Sequence, residues 1–139
     1  MRFWDTSAVV PLVVRQSASA RTDSWYAEDS EIAIWTLTAV EIASALWRLR
    51  REDALTEEDA RGAESRSDEL AAGSFVVADV DSVKPLAIRL LRVHSLRAAD
   101  SLQLAAALVW SGNRPHGKLL HTLDERLALA ARREGFTVV

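Results

Sequence analysis

The sequence predicts an α/β fold, with a five-stranded parallel sheet flanked by helices on both faces. Three observations carry this expectation. Five short apolar or β-branched runs alternate with stretches of helical periodicity. No Gly/Ser-rich linker, repeat or low-complexity tract interrupts the alternation. The chain has 139 residues, 49% of them hydrophobic, which suits one domain over 1–139 with one buried core.

The elements follow in order. Arg2, Phe3 and Trp4 form a short strand, and Asp5-Thr6-Ser7 turns into a helix over about 7–16, with a second helix over about 18–27. Residues 32–35 are a β-branched strand. Thr38 is expected to cap a helix reaching about Arg51, with Val40, Ala43, Leu46 and Trp47 on one face. Thr56 caps the next helix, which Gly73 stops. A strand over 74–78 leads to a helix opened by Asp81 and ending near His94. The Ala/Leu-rich stretch 96–110 is a helix broken by Ser111-Gly112-Asn113-Arg114-Pro115. A strand over 118–123, a helix from Asp124 to Gly135 and a strand over 136–139 complete the chain.

Composition excludes several kinds of chemistry. There is no Cys, so thiolate metal sites, redox pairs and cysteine nucleophiles are absent. Apolar runs such as Ala105 to Trp110 fall short of the roughly 20 residues of a membrane span, and Met1-Arg2 leads into no secretory apolar segment. The expectation is a soluble cytoplasmic protein with no membrane partner. No G-x-G-x-x-G, P-loop or G-x-S-x-G spacing occurs. His94, His116 and His121 lack zinc spacing and read as surface or turn residues. Among the five Trp, three lie on apolar faces and read as core rather than as base-stacking platforms.

Charge is unevenly distributed. Residues 1–80 carry 8 basic and 15 acidic side chains, and residues 81–139 carry 9 and 5. The acidic excess argues against indiscriminate nucleic-acid binding, but it permits a local basic surface beside an acidic pocket.

Four carboxylates stand out. Asp5 closes the first strand, Asp124 closes the fourth, and Glu41 lies just beyond the second in an apolar segment. Asp100 sits among Ala and Leu near the start of its helix. Each has a purely structural reading. Asp5 and Asp124 fit helix N-caps. Glu41, three residues after Thr38, fits a capping box. Asp100, placed in the second turn, is expected to lie beyond capping reach, leaving a buried salt bridge or an edge position. Taken together, right-handed crossovers bring the four to one sheet edge, where they repel unless a divalent cation neutralises them. Oxygen-only donors select a hard cation, Mg²⁺ with Mn²⁺ as a substitute, and phosphoester hydrolysis is the chemistry such a site supports.

The segments carrying these acids resemble a known family. Arg2-Phe3-Trp4-Asp5-Thr6-Ser7-Ala8, Thr38-Ala39-Val40-Glu41-Ile42, Leu96-Arg97-Ala98-Ala99-Asp100-Ser101-Leu102-Gln103-Leu104-Ala105 and Thr122-Leu123-Asp124-Glu125-Arg126-Leu127-Ala128 with Gly135-Phe136 are similar to the PIN domain, specifically to VapC-type toxins. The similarity runs over essentially the whole chain. It implies a Mg²⁺-dependent ribonuclease, the toxin of a toxin–antitoxin pair, held inactive by a VapB-type antitoxin and generally homodimeric. It also implies a PIN-like five-stranded parallel sheet and products with 5′-phosphate and 3′-hydroxyl ends. Asp5, Glu41, Asp100 and Asp124 match the family's acids, with Asp5 and Asp100 as the usual direct metal ligands. Thr6 and Thr122 match nearby polar positions that orient water or carboxylates. Gln103 stands where many relatives carry His, and Gln16 where an acid is common; both are expected to bear on RNA choice rather than on catalysis.

On this reading, Asp124 or Glu41 orients or deprotonates the attacking water, and the sequence does not choose between them. Arg97, Lys118 and Arg126 are candidate phosphate contacts, and Arg48, Arg50 and Arg51 form a solvated helix end. The apolar N-terminal helices, with Val9, Val10, Leu12, Val13, Val14, Trp25 and Tyr26, offer either core burial or a surface for an antitoxin helix or second subunit. Rival functions share the fold. A phosphoacceptor module would use Asp79, with Asp5 as the Mg²⁺ ligand and Lys118 as the cation. It would need an acidic pair where Trp4 precedes Asp5, and it leaves Glu41 and Asp100 without a role. A DNA nuclease would use the same carboxylates, and a non-catalytic PIN-like interaction module would keep the fold without the chemistry.

Overall fold

A computed structural model describes residues 1–139. Twelve elements follow one another: β1 (Arg2–Trp4), α1 (Thr6–Val13), α2 (Ser19–Glu28), β2 (Ile32–Trp35), α3 (Thr38–Arg51), α4 (Glu57–Ala72), β3 (Phe75–Val77), α5 (Val80–Val93), α6 (Ala98–Trp110), β4 (Leu119–His121), α7 (Glu125–Glu134) and β5 (Thr137–Val138). All strand pairs are parallel and the order is β3-β2-β1-β4-β5. The predicted α/β class and five-stranded parallel sheet are therefore present.

Successive strand residues point to opposite faces, and the core divides accordingly. Phe3, Ala33 and Trp35 face α5, α6 and α7 in a cluster with Val83, Leu90, Leu104 and Leu127. Trp4, Ile32 and Ile34 face α1 to α4, with Val9, Val13, Trp25, Ile42 and Leu46. Most of the apolar surface of α1 and α2 is thus consumed by the core. Val9, Val10, Val13, Val14 and Trp25 are buried, while Tyr26 is exposed. No helix is long and apolar enough to cross a membrane.

Several boundaries differ from expectation for local reasons. Helix α1 stops at Val13 rather than near residue 16, because Val14 turns extended and the Gln16 amide is taken by Ser19 Oγ at 2.9 Å. Asp79, not Asp81, caps α5, accepting from the Ser82 amide at 3.0 Å. Asp79 follows the edge strand β3 and does not line the cavity that holds Asp5, so the pair a phosphoacceptor site needs is not assembled. Thr56 caps α4 as expected. Gly135 ends α7 with φ +107°, a left-handed conformation that disfavours any side chain.

One histidine is not a surface or turn residue: His121 lies wholly buried in β4, its ring 4.6 Å from those of both Trp4 and Trp25. His94, at the turn that ends α5, tucks its Nε2 2.7 Å from Glu134 Oε1.

Candidate active site

The order of the strands determines where ligands fit. The chain leaves β1 toward β2 and β3, then returns on the other side of β1 for β4 and β5. A parallel sheet opens a crevice at the carboxyl ends of the two strands where the direction reverses. Asp5 follows β1 and Asp124 follows β4, so both stand at that crevice. Glu41 and Asp100 join them from the first turns of α3 and α6. All four line one cavity of about 530 Å³.

Asp5 is 5% exposed. Its Oδ2 accepts from Ser7 Oγ at 2.5 Å, the Ser7 amide at 3.1 Å and Thr122 Oγ1 at 3.0 Å. It is therefore the N-cap of α1 and a buried lining residue of the cavity at once, and its other oxygen carries no hydrogen bond. Burial pushes its pKa up. The Ser7 and Thr122 hydroxyls and the Ser7 amide oppose that, and the Asp100 charge adds to it.

Asp124 is similarly divided: Oδ1 caps α7 by accepting from the Leu127 amide at 2.8 Å, and Oδ2 is left without a partner. Asp100 departs from expectation. Because α6 begins at Ala98, Asp100 is its third residue, and Oδ2 accepts from the Arg97 amide at 3.2 Å. It is within capping reach after all, and no basic side chain pairs with it.

Glu41 corrects a second expectation. Thr38 is the first residue of α3 rather than its cap, and the cap position, Leu37, offers no side-chain acceptor. The Thr38–Glu41 capping box does not form. Glu41 Oε2 instead accepts from Thr6 Oγ1 at 2.8 Å, and Gln103 Nε2 lies 3.3 Å from Oε1. The same nitrogen is 2.7 Å from Thr6 Oγ1 and 3.1 Å from Thr38 Oγ1. Burial raises the Glu41 pKa, the Thr6 and Gln103 hydrogen bonds oppose it, and the charges of Asp5 and Asp100 reinforce it. Gln103 is fully buried. Its amide contacts Thr6, Thr38 and Glu41 from behind, and it does not line the cavity itself. Nothing in its sequence setting, an Ala/Leu helix, distinguishes this position from core.

The four carboxylates make no ion pair with any basic side chain, unlike Asp23, Glu28, Asp29 and Glu134, which all do. Three of them each hold one oxygen on the protein and leave the other free. No three His, Cys, Asp or Glu side chains converge closely enough to hold an ion by themselves. Any cation here would have water completing its shell, as Mg²⁺ usually does.

The predicted cations divide. Arg97 and Arg126 line an adjoining cavity of about 330 Å³ that shares Asp100 and Asp124 with the first. Lys118 is elsewhere: it precedes β4, at the opposite end of that strand from Asp124, with its ammonium 5.6 Å over the Trp110 ring. Arg48 lines the larger cavity beside the acids rather than forming only a solvated helix end. Gln16 lines the same cavity.

A doubly covered parallel sheet carrying unpaired carboxylates at its topological switch point defines an α/β domain with an acidic crevice site. The chain belongs to the PIN domain family, whose model matches residues 2–133. It is 29% identical over 137 residues to Ribonuclease VapC45 of Mycobacterium tuberculosis (strain CDC 1551 / Oshkosh) and, equally, to Ribonuclease VapC49 of strain ATCC 25618 / H37Rv. Each alignment covers 98% of this chain and 92% of the relative. Among solved structures, PAE2754 from Pyrobaculum aerophilum is 25% identical with a TM-score of 0.62, over 99% of this chain and 88% of that one. FitAcB from Neisseria gonorrhoeae has a TM-score of 0.67 at 17% identity, over 99% and 96%, which bears on the fold alone. The resemblance to VapC-type PIN domains read from the four acidic segments agrees with these matches.

Proposed function

We propose that residues 1–139 act as a single PIN domain, a divalent-metal-dependent ribonuclease that is the toxin of a toxin–antitoxin pair. The observation carrying this reading is the set of four carboxylates, unpaired by any cation, that line one cavity at the switch point. The ribonuclease names of the VapC relatives support RNA as substrate. A VapB-type antitoxin as partner, a homodimer and a cytoplasmic location follow from the same family reading.

The free oxygens of Asp5 and Asp100 would hold the cation, with Asp124 and Glu41 completing the site directly or through water. Mg²⁺ or Mn²⁺ bound there supplies an activated water and neutralises charge on the phosphodiester. Ser7 and Thr122 hold Asp5 through one oxygen and leave the other without a protein partner. Thr6 and Gln103 occupy both oxygens of Glu41, whereas Asp124 keeps one oxygen unengaged. That difference favours Asp124 as the group accepting the water's proton and leaves Glu41 the more firmly held of the two.

The test is incubation of the purified protein with single-stranded RNA and with DNA of the same sequence, in Mg²⁺ or Mn²⁺ and in EDTA. RNA is cut only with the metal, leaving 5′-phosphate ends, and DNA is spared. Cleavage of DNA alone, or RNA cleavage indifferent to EDTA, overturns the reading. Co-purification with the product of the adjacent reading frame tests the antitoxin, and the mass in solution tests the dimer.

Gln103 gives a second expectation. Gln103→Leu removes the donor shared by Thr6, Thr38 and Glu41, and it lowers cleavage by about 10–100-fold, as loss of a group orienting a metal-site ligand typically does. Cleavage measured across a metal titration checks this. An unchanged rate and metal requirement would leave Gln103 a packing residue.

A further inference from the structure

Resting on the nuclease reading and extending it to the path of the substrate, we infer that a single nucleic-acid strand crosses the carboxyl edge of the sheet from the β2 side to the β4 side. Arg48 grips a phosphate on one side of the acids, and Arg97 with Arg126 grips phosphates on the other.

The geometry comes from two cavities that share a wall. The larger cavity is lined by all four carboxylates and by a single basic side chain, Arg48. The smaller adjoins it through Asp100 and Asp124 and is lined otherwise by Arg97, Glu125 and Arg126. Arginines therefore stand on both sides of the shared wall, Arg48 in the larger cavity and Arg97 with Arg126, beside Glu125, in the smaller. Strand order fixes the direction: Arg48 belongs to the helix after β2, Arg126 to the helix after β4, and Asp5, after β1, lies between them.

Arg48 is set at a distance from the reacting centre by helical spacing. Glu41, Ser44, Ala45 and Arg48 all line the cavity, at offsets of three, four and seven residues. Seven residues are two turns of α3, about 10 Å along its axis. Arg48 thus reaches a neighbouring phosphate rather than the one being cut. It makes no ion pair with the carboxylates of its own cavity, so its charge is available. Arg50, two residues on, is engaged by Asp53. On the far side, Arg97 and Arg126 stand at the N-terminal ends of α6 and α7, where both helix dipoles add positive potential. A polymer with a charge on every unit matches this alternation of cation, acidic centre and cation.

The experiment compares wild type with Arg48→Ala, Arg97→Ala/Arg126→Ala and, as a control on another face, Arg92→Ala. It reads cleavage kinetics of a single-stranded RNA and the salt dependence of binding. Arg48→Ala raises KM about tenfold with kcat held within about threefold, and flattens the log–log salt slope by about 0.7 for one lost phosphate contact on a single strand. The Arg97/Arg126 pair flattens it further, Arg48→Lys restores most of the slope, and Arg92→Ala matches wild type. Substrates too short to reach Arg48 are cut equally by wild type and Arg48→Ala. If wild type cleaves RNA while Arg48→Ala and the Arg97/Arg126 pair keep wild-type KM and slope, the path is wrong and the nuclease reading stands. If wild type cleaves no RNA under any divalent metal, both fall. Equal loss from Arg92→Ala would reduce the effect to general charge and overturn the path.

Discussion

Asp5→Asn and Asp100→Asn each lower RNA cleavage by about a hundredfold or more, because a metal site contributes several kcal/mol of transition-state charge stabilisation and each 1.36 kcal/mol is a factor of ten. The same variants, without metal, melt no lower than wild type. In both residues one oxygen serves the protein and the other is free, and Asn keeps an acceptor for the first while removing the charge from the second. For Asp5, that charge is held in a buried site that pushes its pKa up, so neutralising it relieves strain at neutral pH. Asp5→Ala differs. It deletes the α1 cap, takes the shared acceptor from the Ser7 and Thr122 hydroxyls, and costs about 1 kcal/mol or more. Thermal melts in EDTA and in excess Mg²⁺ read both effects. Wild type gains stability with metal, by about 2.7 kcal/mol at a hundred times the Kd, and the Asn variants gain little. Asn variants that melt well below wild type in EDTA, or a wild type indifferent to metal, would remove the acidic metal site.

The protein loses up to about 3 kcal/mol of stability between pH 6.5 and pH 4 through His121 alone. Burial and then the Arg2 charge push this imidazole down to about 4 from its ordinary 6.5. Its Nε2 faces Arg2 Nη1 at 3.3 Å, and its Nδ1 has no partner. The unfolded chain takes a proton below 6.5 that the native state refuses until about 4, so the contribution is complete above 6.5 and is lost as pH falls. Asp5 and Glu41, both raised, act oppositely over the range above ordinary carboxylate values, where the native state binds the extra protons. Urea unfolding of wild type and His121→Asn at pH 7 and pH 4.5 separates the terms. The variant's stability falls less on acidification, and parallel falls in the two proteins would show that His121 does not carry the effect.

Local patterns in the chain specify the class of fold and single out the four acids. Alternation of strand and helix periods is a local property, as is the Gly135 stop or the Thr56 cap, and the chain states both in consecutive residues. An acid at the end of a short apolar run is equally legible, which is why Asp5 and Asp124 are readable both as caps and as site residues. Each caps its helix through one oxygen and also lines the cavity, since a carboxylate has two oxygens to place. What each side chain meets is settled by the packed fold instead. The expected Thr38–Glu41 box gives way because Thr6 and Gln103, 35 and 62 residues from Glu41, reach its carboxylate first. His121 reads as a surface or turn residue until β4 places it between two Trp rings from β1 and α2. Arg48 reads as a helix end, and Lys118 as a neighbour of Asp124, until the strand order fixes which ends of the elements share an edge. Local spacing encodes which face of an element a residue occupies. The partner on that face comes from crossovers spanning tens of residues, and those contacts form only when the sheet closes.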